Sequence, residues 1–291
     1  MKCCNSITCL FVTLFTSVVL SLAAEAEDCG IINSNQFGNN QKSTEIDEFP
    51  WIARIAYNKT KTSETVFHCE AVLISQQHLI TVAHCFRDME DIEPYAVLLG
   101  DWDTSNSFSE EDCDKVSEKC STPLLVAIDE LIVHRYFSLR KRENDIALVR
   151  LTQAVTLTDY IRPICLPSKN VKTKEYGSEE LVVTGWLRNV QGVKQKMPVF
   201  VFNSNDCRRK YENFKNTNIT DAVLCGIICV GGESHLSGSA LMDVTMEEYE
   251  SPRNVYLVGI VAYGLMRCNN RMPDIFVRVD KYLDWINENM Y

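Results

Sequence analysis

After residue 22 the sequence has no long apolar run. A helix that crosses a membrane needs roughly 20 consecutive apolar residues, and no later segment approaches that length. Residues 10–22 are apolar, but they follow Lys2 and precede the small residues Ala23, Ala24 and Ala26. This order is typical of a secretory signal peptide, and a retained anchor is the alternative. We therefore predict that residues 1–24 are removed and that the mature protein is secreted, with no membrane contact.

The sequence also lacks an excess of positive charge. Lysine and arginine number 29 against 39 aspartates and glutamates, which gives a net charge of −10. Because phosphate binding needs concentrated basic residues, this balance argues against nucleic acid as a partner. Internal repeats, low-complexity linkers and signs of a second domain are missing as well. We therefore predict a polar lead segment over residues 25–48 and one domain over residues 49–291.

The cysteine content indicates an oxidising compartment. Of 13 cysteines, three lie within the predicted signal peptide. The remaining ten are an even number, and their spacings do not match zinc sites, so we predict five disulfides and no free thiol. Two sequons, at Asn58 and Asn218, predict surface glycosylation in a secreted chain.

Hydrophobic periodicity predicts an all-β protein. From Trp51 onward, short β-branched runs are separated by turn residues, as at 52–57, 71–74, 78–82, 95–99, 131–133, 146–149, 181–184, 199–201, 256–261 and 275–277. This pattern is typical of a sandwich or of barrels. One helix is predicted at the C-terminal end, where Val279, Tyr282, Leu283 and Ile286 share an apolar face.

An acidic stretch over residues 108–120 surrounds two of the cysteines. Carboxylate oxygens bind calcium, and Asp101, Glu110 and Glu111 are the candidate ligands here. More often a run of this kind is a solvated surface. No other metal or cofactor is indicated.

Three widely spaced motifs carry the residue types of nucleophilic catalysis. They read Thr-Val-Ala-His-Cys at 81–85, Asn-Asp-Ile-Ala-Leu at 144–148 and Ser-Gly-Ser-Ala-Leu at 237–241. In chain order they offer His84, Asp145 and Ser237. An alcohol nucleophile needs a base within hydrogen-bond reach, and the base needs its tautomer fixed by a carboxylate. Each residue alone is usually structural, but the three together, in this order, are not a coincidence.

With these and further motifs, residues 49–291 resemble the trypsin/chymotrypsin-like serine peptidases. The further motifs are Glu-Phe-Pro-Trp at 48–51, Gly-Asp-Trp-Asp-Thr at 100–104, Arg-Pro-Ile-Cys-Leu-Pro at 162–167, Thr-Gly-Trp at 184–186 and Tyr-Leu-Asp-Trp-Ile at 282–286. The likeness is greatest to the protease part of arthropod clip-domain proteases of melanisation and Toll cascades, and to their non-catalytic homologues. It implies two six-stranded antiparallel β-barrels, chymotrypsin-like, with a C-terminal α-helix. It also implies that Ser237 is the nucleophile, His84 the general base and Asp145 the group that orients the imidazole.

The resemblance further implies a disulfide pairing that uses all ten cysteines. The pair Cys29–Cys165 ties the lead segment to the body. The other implied pairs are Cys69–Cys85, Cys113–Cys120, Cys207–Cys225 and Cys229–Cys268.

The catalytic run departs from the family pattern Gly-Asp-Ser-Gly-Gly-Pro, since residues 235–240 read His-Leu-Ser-Gly-Ser-Ala. The first glycine of the pattern lends its N–H to the oxyanion hole in a conformation that poorly tolerates a side chain, so we expect His235 to displace that donor. Leu236 replaces the aspartate that pairs with the N-terminal ammonium made by activation cleavage. The basic-Ile-Val-Gly-Gly sequence that supplies this ammonium is absent too, because residues 36–41 read Gln-Phe-Gly-Asn-Asn-Gln.

The predicted substrate pocket is altered as well. Ala262, Tyr263 and Gly264 stand where the family has Ser-Trp-Gly or a close variant, and Ala262 lacks the hydroxyl that supports the catalytic aspartate there. The acidic base of a trypsin-like pocket aligns near Gly231, whereas Asp274 occupies a wall position that is normally glycine. The Asp274 carboxylate either still favours a basic substrate residue or fills the pocket, and we favour filling.

The alignment at the nucleophile has alternatives. Cys229 lies farther before Ser237 than the family spacing, and counting from Cys229 places Glu233 at the nucleophile position. Ser234 is the remaining candidate. We prefer Ser237 because Gly238 and the strand that follows then stay in register.

Three functions compete. The first is a secreted protease homologue, impaired or inactive, that acts as a monomeric cofactor, decoy or regulator and binds clip-domain proteases, prophenoloxidase or serpins. The second is an active serine endopeptidase of narrow specificity that uses His84, Asp145 and Ser237. The third, a purely structural or carrier role, has no specific support in the sequence. We favour the first, because catalytic, activation and pocket residues are all changed.

Overall fold

The strands of the protein close into two antiparallel barrels. The computed structural model describes residues 29–36, 41–87, 89–167, 176, 180–186, 192–214, 218–228, 237–244, 254–264 and 272–290. In chain order its strands are β1 (Ile52–Lys59), β2 (Thr65–Leu73), β3 (His78–Thr81), β4 (Ile92–Leu99), β5 (Asp112–Asp114), β6 (Lys119–Ser121), β7 (Leu124–Val133), β8 (Ala147–Leu151), β9 (Glu180–Gly185), β10 (Gln195–Phe202), β11 (Val223–Ile228), β12 (Ala240–Asp243), β13 (Tyr256–Tyr263) and β14 (Asp274–Arg278).

The first barrel closes in the order β1-β2-β3-β8-β7-β4. Strand β1 is paired on both edges, since Ile55 lies opposite Cys69 of β2 and Val97 of β4. Ile55, Leu79 and Leu148 are completely buried in its core. Burial of one such side chain contributes about 1.5–3 kcal/mol, so the apolar strand positions drive closure.

The second barrel closes in the order β10-β11-β14-β13-β12-β9. Its core contains Val199, Leu241 and Phe276, none of which is exposed to solvent. Strands β5 and β6 form a separate hairpin outside both barrels. The prediction of two six-stranded antiparallel barrels is therefore confirmed.

Two α-helices lie in the described part of the chain, and one of them was not predicted. Helix α1 (Ser204–Tyr211) is mostly polar, and the side chain of Asn203 caps it by accepting from the Asp206 N–H at 3.0 Å. The predicted C-terminal helix is α2 (Leu283–Glu288), which follows a 3₁₀ turn at Val279–Lys281. All members of its predicted apolar face are buried.

Disulfides join four of the five cysteine pairs that the resemblance implies. These bonds are Cys29–Cys165, Cys69–Cys85, Cys113–Cys120 and Cys207–Cys225. Cys229 and Cys268 lie outside the described residues, so that pairing stays a prediction.

The lead segment is attached to the connection between the barrels and to the second barrel. Beside the Cys29 disulfide, the Gly30 N–H donates to Pro163 O at 2.8 Å and Gly30 O accepts from the Val255 N–H at 2.8 Å. A Cβ on Gly30 would lie 2.3 Å from Val255 O, so the close approach requires glycine. At the other end of the segment, the Glu48 carboxylate pairs with the Lys196 ammonium at 2.6 Å. None of the described helices has the length and apolar character of a membrane span.

Candidate active site

His84 and Asp145 form a hydrogen-bonded pair at the edge of the first barrel. His84 lies in a 3₁₀ turn (Ala83–Phe86) directly after β3, and Asp145 lies two residues before β8, the strand paired with β3. The Asp145 carboxylate accepts from the His84 backbone N–H at 2.9 Å, and its other oxygen lies 2.7 Å from His84 Nδ1. Asp145 is buried, whereas the His84 side chain is 21% exposed. This is the arrangement that fixes the tautomer of a general base.

The backbone of Ser237 lies beside this pair. Ser237 O accepts from the Glu70 N–H at 2.9 Å, and the neighbour of Glu70, Cys69, is disulfide-bonded to Cys85, the neighbour of His84. On the other side, the Gly238 N–H donates to Val261 O at 2.9 Å in the second barrel. The backbone at Ser237 and Gly238 is therefore hydrogen-bonded to strands of both barrels. The catalytic roles of His84, Asp145 and Ser237 stay predictions.

The residue after Ser237, Gly238, has a conformation and surroundings that require glycine. It has φ of +92°, and a Cβ there would lie 1.9 Å from Glu70 O and 2.4 Å from Thr81 Oγ1. Only glycine fits such a close backbone contact, which explains why the sequence has glycine directly after Ser237. The alternative positions Glu233 and Ser234 lie outside the described residues.

The altered oxyanion and pocket residues of the loop before Ser237 also lie outside the described residues. These are Gly231, His235 and Leu236. Their predicted effects therefore rest on the sequence alone.

Tyr263 covers one face of the His84 imidazole. The two ring centroids are 5.1 Å apart and the planes differ by 28°, and the Arg142 guanidinium lies 4.9 Å from the Tyr263 ring centroid. Burial and, next, the negative charge of Asp145 raise the pKa of the Tyr263 phenol, which therefore stays neutral. Its buried hydroxyl lies near Asp145 but makes no well-aligned hydrogen bond within the described residues. The adjacent Ala262 is buried and supplies no hydroxyl to Asp145.

The Asp274 carboxylate lies against the backbone of Gly264. A Cβ on Gly264 would be 1.8 Å from Asp274 Oδ1, so these two residues are in direct contact. The other carboxylate oxygen accepts from the Ile228 N–H at 3.1 Å, and the residue is buried. Both oxygens thus face the protein. That Asp274 fills the pocket stays a prediction.

Behind Ser237 lies a buried acid that the sequence reasoning missed. Burial raises the pKa of Glu70 to about 8, so its carboxyl is protonated at neutral pH. Oε1 accepts from the Trp186 N–H at 3.2 Å. The nearby Ser239 hydroxyl favours the ionised form of the Glu70 carboxyl and so opposes part of this rise in pKa. That hydroxyl donates its hydrogen bond to Thr184 O. The second carboxyl oxygen of Glu70, Oε2, has no hydrogen-bond partner among the described residues. The sequence feature that could have indicated this buried acid is the position of Glu70 directly before the apolar run at residues 71–74.

A buried base lies in the same interior region. Lys194 donates to Phe49 O at 3.2 Å and is only 3% exposed. Burial lowers its pKa to about 8, against the opposing effect of nearby carboxylates, with Glu48 the largest of these.

The candidate calcium ligands do not converge. Asp101 is buried and pairs with the Arg54 guanidinium at 2.6 Å, while Glu110 and Glu111 are exposed. Instead, the loop is held by Asp112, one carboxylate oxygen of which accepts two backbone N–H groups, at 2.7 and 2.9 Å. Among the groups of three or more possible metal ligands in the described chain, the one that includes an acid is Glu111 with Cys113 and Cys120, which are disulfide-bonded to each other. Calcium binding stays a prediction. At Asp101 the positive charge beside the carboxylate comes from the Arg54 guanidinium.

The two predicted glycosylation sites lie in different places. Asn58 is on β1 in the first barrel. Asn218 is exposed and donates to the Glu143 carboxylate at 2.9 Å. Asn218 and Glu143 line a small cleft of about 100 Å³ together with Asp145 and Tyr263.

Known proteins are similar to this chain in sequence and fold. The trypsin family profile matches residues 39–286. The chain is 33% identical over 283 residues to the CLIP domain-containing serine protease HP8 of Bombyx mori, an alignment that covers 91% of this chain and 72% of that protein. It is 29% identical over 284 residues to the Spaetzle-processing enzyme of Drosophila melanogaster, covering 90% and 68%. The crystal structure of the Drosophila Grass clip serine protease of the Toll pathway matches with a TM-score of 0.76 and 26% identity, covering 92% of this chain and 76% of that one.

Proposed function

The chain belongs to the trypsin family of serine peptidases, and from that premise we propose that it is a secreted protease homologue with little or no peptidase activity. It acts by binding, as a cofactor, decoy or regulator in an extracellular proteolytic cascade. The observation that carries the proposal is the run His-Leu-Ser-Gly at residues 235–238. It removes the expected oxyanion glycine and the expected aspartate of the activation switch together. Loss of one oxyanion donor alone costs about 100- to 1000-fold in rate.

The surroundings of two residues in the described site, Asp274 and Tyr263, support weak or absent catalysis. The Asp274 carboxylate contacts Gly264 and the Ile228 N–H, so it occupies space beside the candidate substrate wall. Tyr263 stacks on the His84 ring while Arg142 lies over Tyr263. An incoming peptide chain has to displace or accommodate these groups before it reaches the imidazole.

The second candidate function is a slow or narrow endopeptidase. The observation that favours it is the intact geometry of His84 and Asp145. One Asp145 carboxylate oxygen is hydrogen-bonded to the His84 backbone N–H, and the other is hydrogen-bonded to His84 Nδ1. A binding protein has no physical need for that arrangement.

Cascade membership and secretion rest on separate support. The similar proteins named above include clip-domain proteases, and one of them is named for processing Spaetzle. Disulfides at four places in the described chain fit an oxidising compartment. We propose clip-domain proteases, prophenoloxidase or serpins as partners of the folded surface.

Hydrolysis of a mixed peptide library separates the two candidate functions. The mature protein and its Ser237→Ala variant are incubated with the library, and new peptide ends are counted by mass spectrometry. For a homologue we expect the same background from both proteins. Cleavage that disappears in Ser237→Ala would establish the endopeptidase instead.

A further inference from the structure

The segment that joins β7 to β8 carries a concentration of positive charge. We call residues 134–142 the basic loop. It contains Arg135, Arg140, Lys141 and Arg142, all exposed, and no acidic residue, whereas the whole chain has a net charge of −10. A local excess of one sign against the sign of the whole molecule attracts ligands of opposite charge.

These four cations are not neutralised by neighbouring acids. Within the described chain, none of them lies within ion-pair distance of a carboxylate, whereas Lys59 and Lys61 on another surface pair with Glu64 and Asp91 at 2.8 Å. The acid that follows the loop, Glu143, accepts from the Asn218 amide. The loop cations are therefore available to a partner.

The tip of the basic loop is held in a fixed hairpin. Ser138 and Glu143 exchange backbone hydrogen bonds at 3.0 and 3.2 Å, so residues 139–142 form the turn between them. The turn presents Arg140 and Lys141 to solvent. A surface that is already ordered loses little conformational entropy on binding.

Apolar side chains lie among the cations. Tyr136 is 62% exposed and Leu139 is 41% exposed. The Arg135 guanidinium lies 4.5 Å from the Tyr136 ring centroid. Cations beside an exposed aromatic ring and an aliphatic side chain fit an acidic peptide with apolar residues better than they fit a uniformly charged polymer.

The basic loop borders the candidate active site. Arg142 and Glu143 line the same cleft as Asp145 and Tyr263. Arg142 lies over the Tyr263 ring, which in turn stacks on His84. A segment bound to the loop therefore lies at the entrance to the site.

We propose that the basic loop docks an acidic, partly apolar segment of a protein partner at the entrance of the site. The inference rests on the proposed function in one respect, that the active-site face of this chain is its binding surface. It adds the chemistry of the partner: clustered aspartate and glutamate with an aromatic or aliphatic residue among them. Long-range electrostatic attraction between the loop cations and the acidic segment speeds their encounter, and the apolar contacts fix the position of the bound segment along the loop.

The probe is a short fluorescein-labelled peptide in which aspartates and glutamates flank one phenylalanine. Binding to the full mature protein is measured by fluorescence anisotropy between about 0.01 M and about 1 M salt, a range over which the Debye length falls from about 30 Å to about 3 Å. We expect tight binding at low salt that weakens steeply as salt rises. The variant Arg140→Ala/Lys141→Ala is expected to bind about tenfold more weakly at low salt, because two exposed ion pairs are lost.

The matched control is Lys59→Ala/Lys61→Ala, which removes the same charge from cations that are already paired. It should bind the peptide as the unchanged protein does. Tyr136→Ser should weaken binding of the phenylalanine peptide but not of the same peptide with alanine in that place. Arg142 is left unchanged so that its contact with Tyr263 is preserved.

Three results would overturn the proposal: an affinity unchanged by Arg140→Ala/Lys141→Ala, an equal loss in the Lys59→Ala/Lys61→Ala control, or tighter binding of a heparin oligosaccharide that Tyr136→Ser does not affect. The last result would identify a general polyanion site. The variants change exposed side chains, and equal melting temperatures show that they are folded. The anisotropy assay measures peptide binding and needs no catalysis. A failure of the docking proposal can therefore be told apart from the outcome of the Ser237→Ala hydrolysis experiment.

Discussion

Glu70→Gln tests the electrostatics behind the candidate nucleophile. The substitution keeps the size of the side chain and an oxygen that can accept from the Trp186 N–H, but it cannot ionise. In the folded protein the buried Glu70 carboxyl has a pKa of about 8, against an ordinary value of 4.5. The folded protein therefore holds this proton at pH values where the unfolded chain has released it.

The sign and size of the effect follow from proton linkage. Because the pKa is raised on folding, the stabilising state is the protonated one, and stability from this group falls as pH rises from 4.5 to about 8. The slope is about 1.4 kcal/mol per pH unit, so the group costs about 3 kcal/mol at pH 7 relative to pH 4.5. Lys194 affects stability in a different pH range. Because burial lowers its pKa to about 8, its contribution to the free energy of unfolding rises with pH only above that value.

Urea unfolding at pH 5, 6 and 7 measures the difference between the unchanged protein and Glu70→Gln. We expect the variant to gain roughly 1 kcal/mol relative to the unchanged protein with each pH unit. The control is Glu64→Gln, at an exposed carboxylate, for which the difference should stay nearly constant. Parallel pH curves for the unchanged protein and Glu70→Gln would show that Glu70 is already ionised in the folded state and that the reasoning is wrong.

Three further variants address the packing of the site. Gly238→Ala should cost roughly 3 kcal/mol or more, because the added Cβ would lie 1.9 Å from Glu70 O; a loss below about 1 kcal/mol in urea unfolding would mean that this contact is looser. Cys69→Ala/Cys85→Ala should cost about 2–5 kcal/mol, and an unchanged melting temperature would show that this bond contributes nothing. Tyr263→Phe should leave stability unchanged or raise it, because the phenol has no well-aligned partner among the described residues; a clear loss would reveal a hydrogen bond from that hydroxyl.

The barrels were predictable from sequence because their signal is local and repeated. Short apolar runs separated by turn residues gave most strands, and the His84 and Asp145 motifs predicted two residues that the structure places 2.7 Å apart. Helix α1 was missed because it has little apolar periodicity. Its Asn203 cap, with Asp206 three residues later, was the available signal.

The interior charges were not predictable, since their environment is made by distant segments. Glu70 becomes buried through contact with Trp186, more than a hundred residues away in sequence. Asp101 was a candidate calcium ligand because its acidic neighbourhood is visible in the sequence. Its partner Arg54 belongs to a strand 47 residues earlier and becomes visible only in the fold.

The central claim is that Ser237 does not act as an efficient nucleophile, and fluorophosphonate labelling tests it most directly. The purified mature protein is treated with the probe before and after digestion with trypsin or lysyl-endopeptidase, with Ser237→Ala as the control and active trypsin as the positive reference. We expect no labelling that depends on Ser237 in either state. Labelling that Ser237→Ala abolishes, above all without prior cleavage, would show that the site forms despite His235 and Leu236 and that the protein is an active serine peptidase.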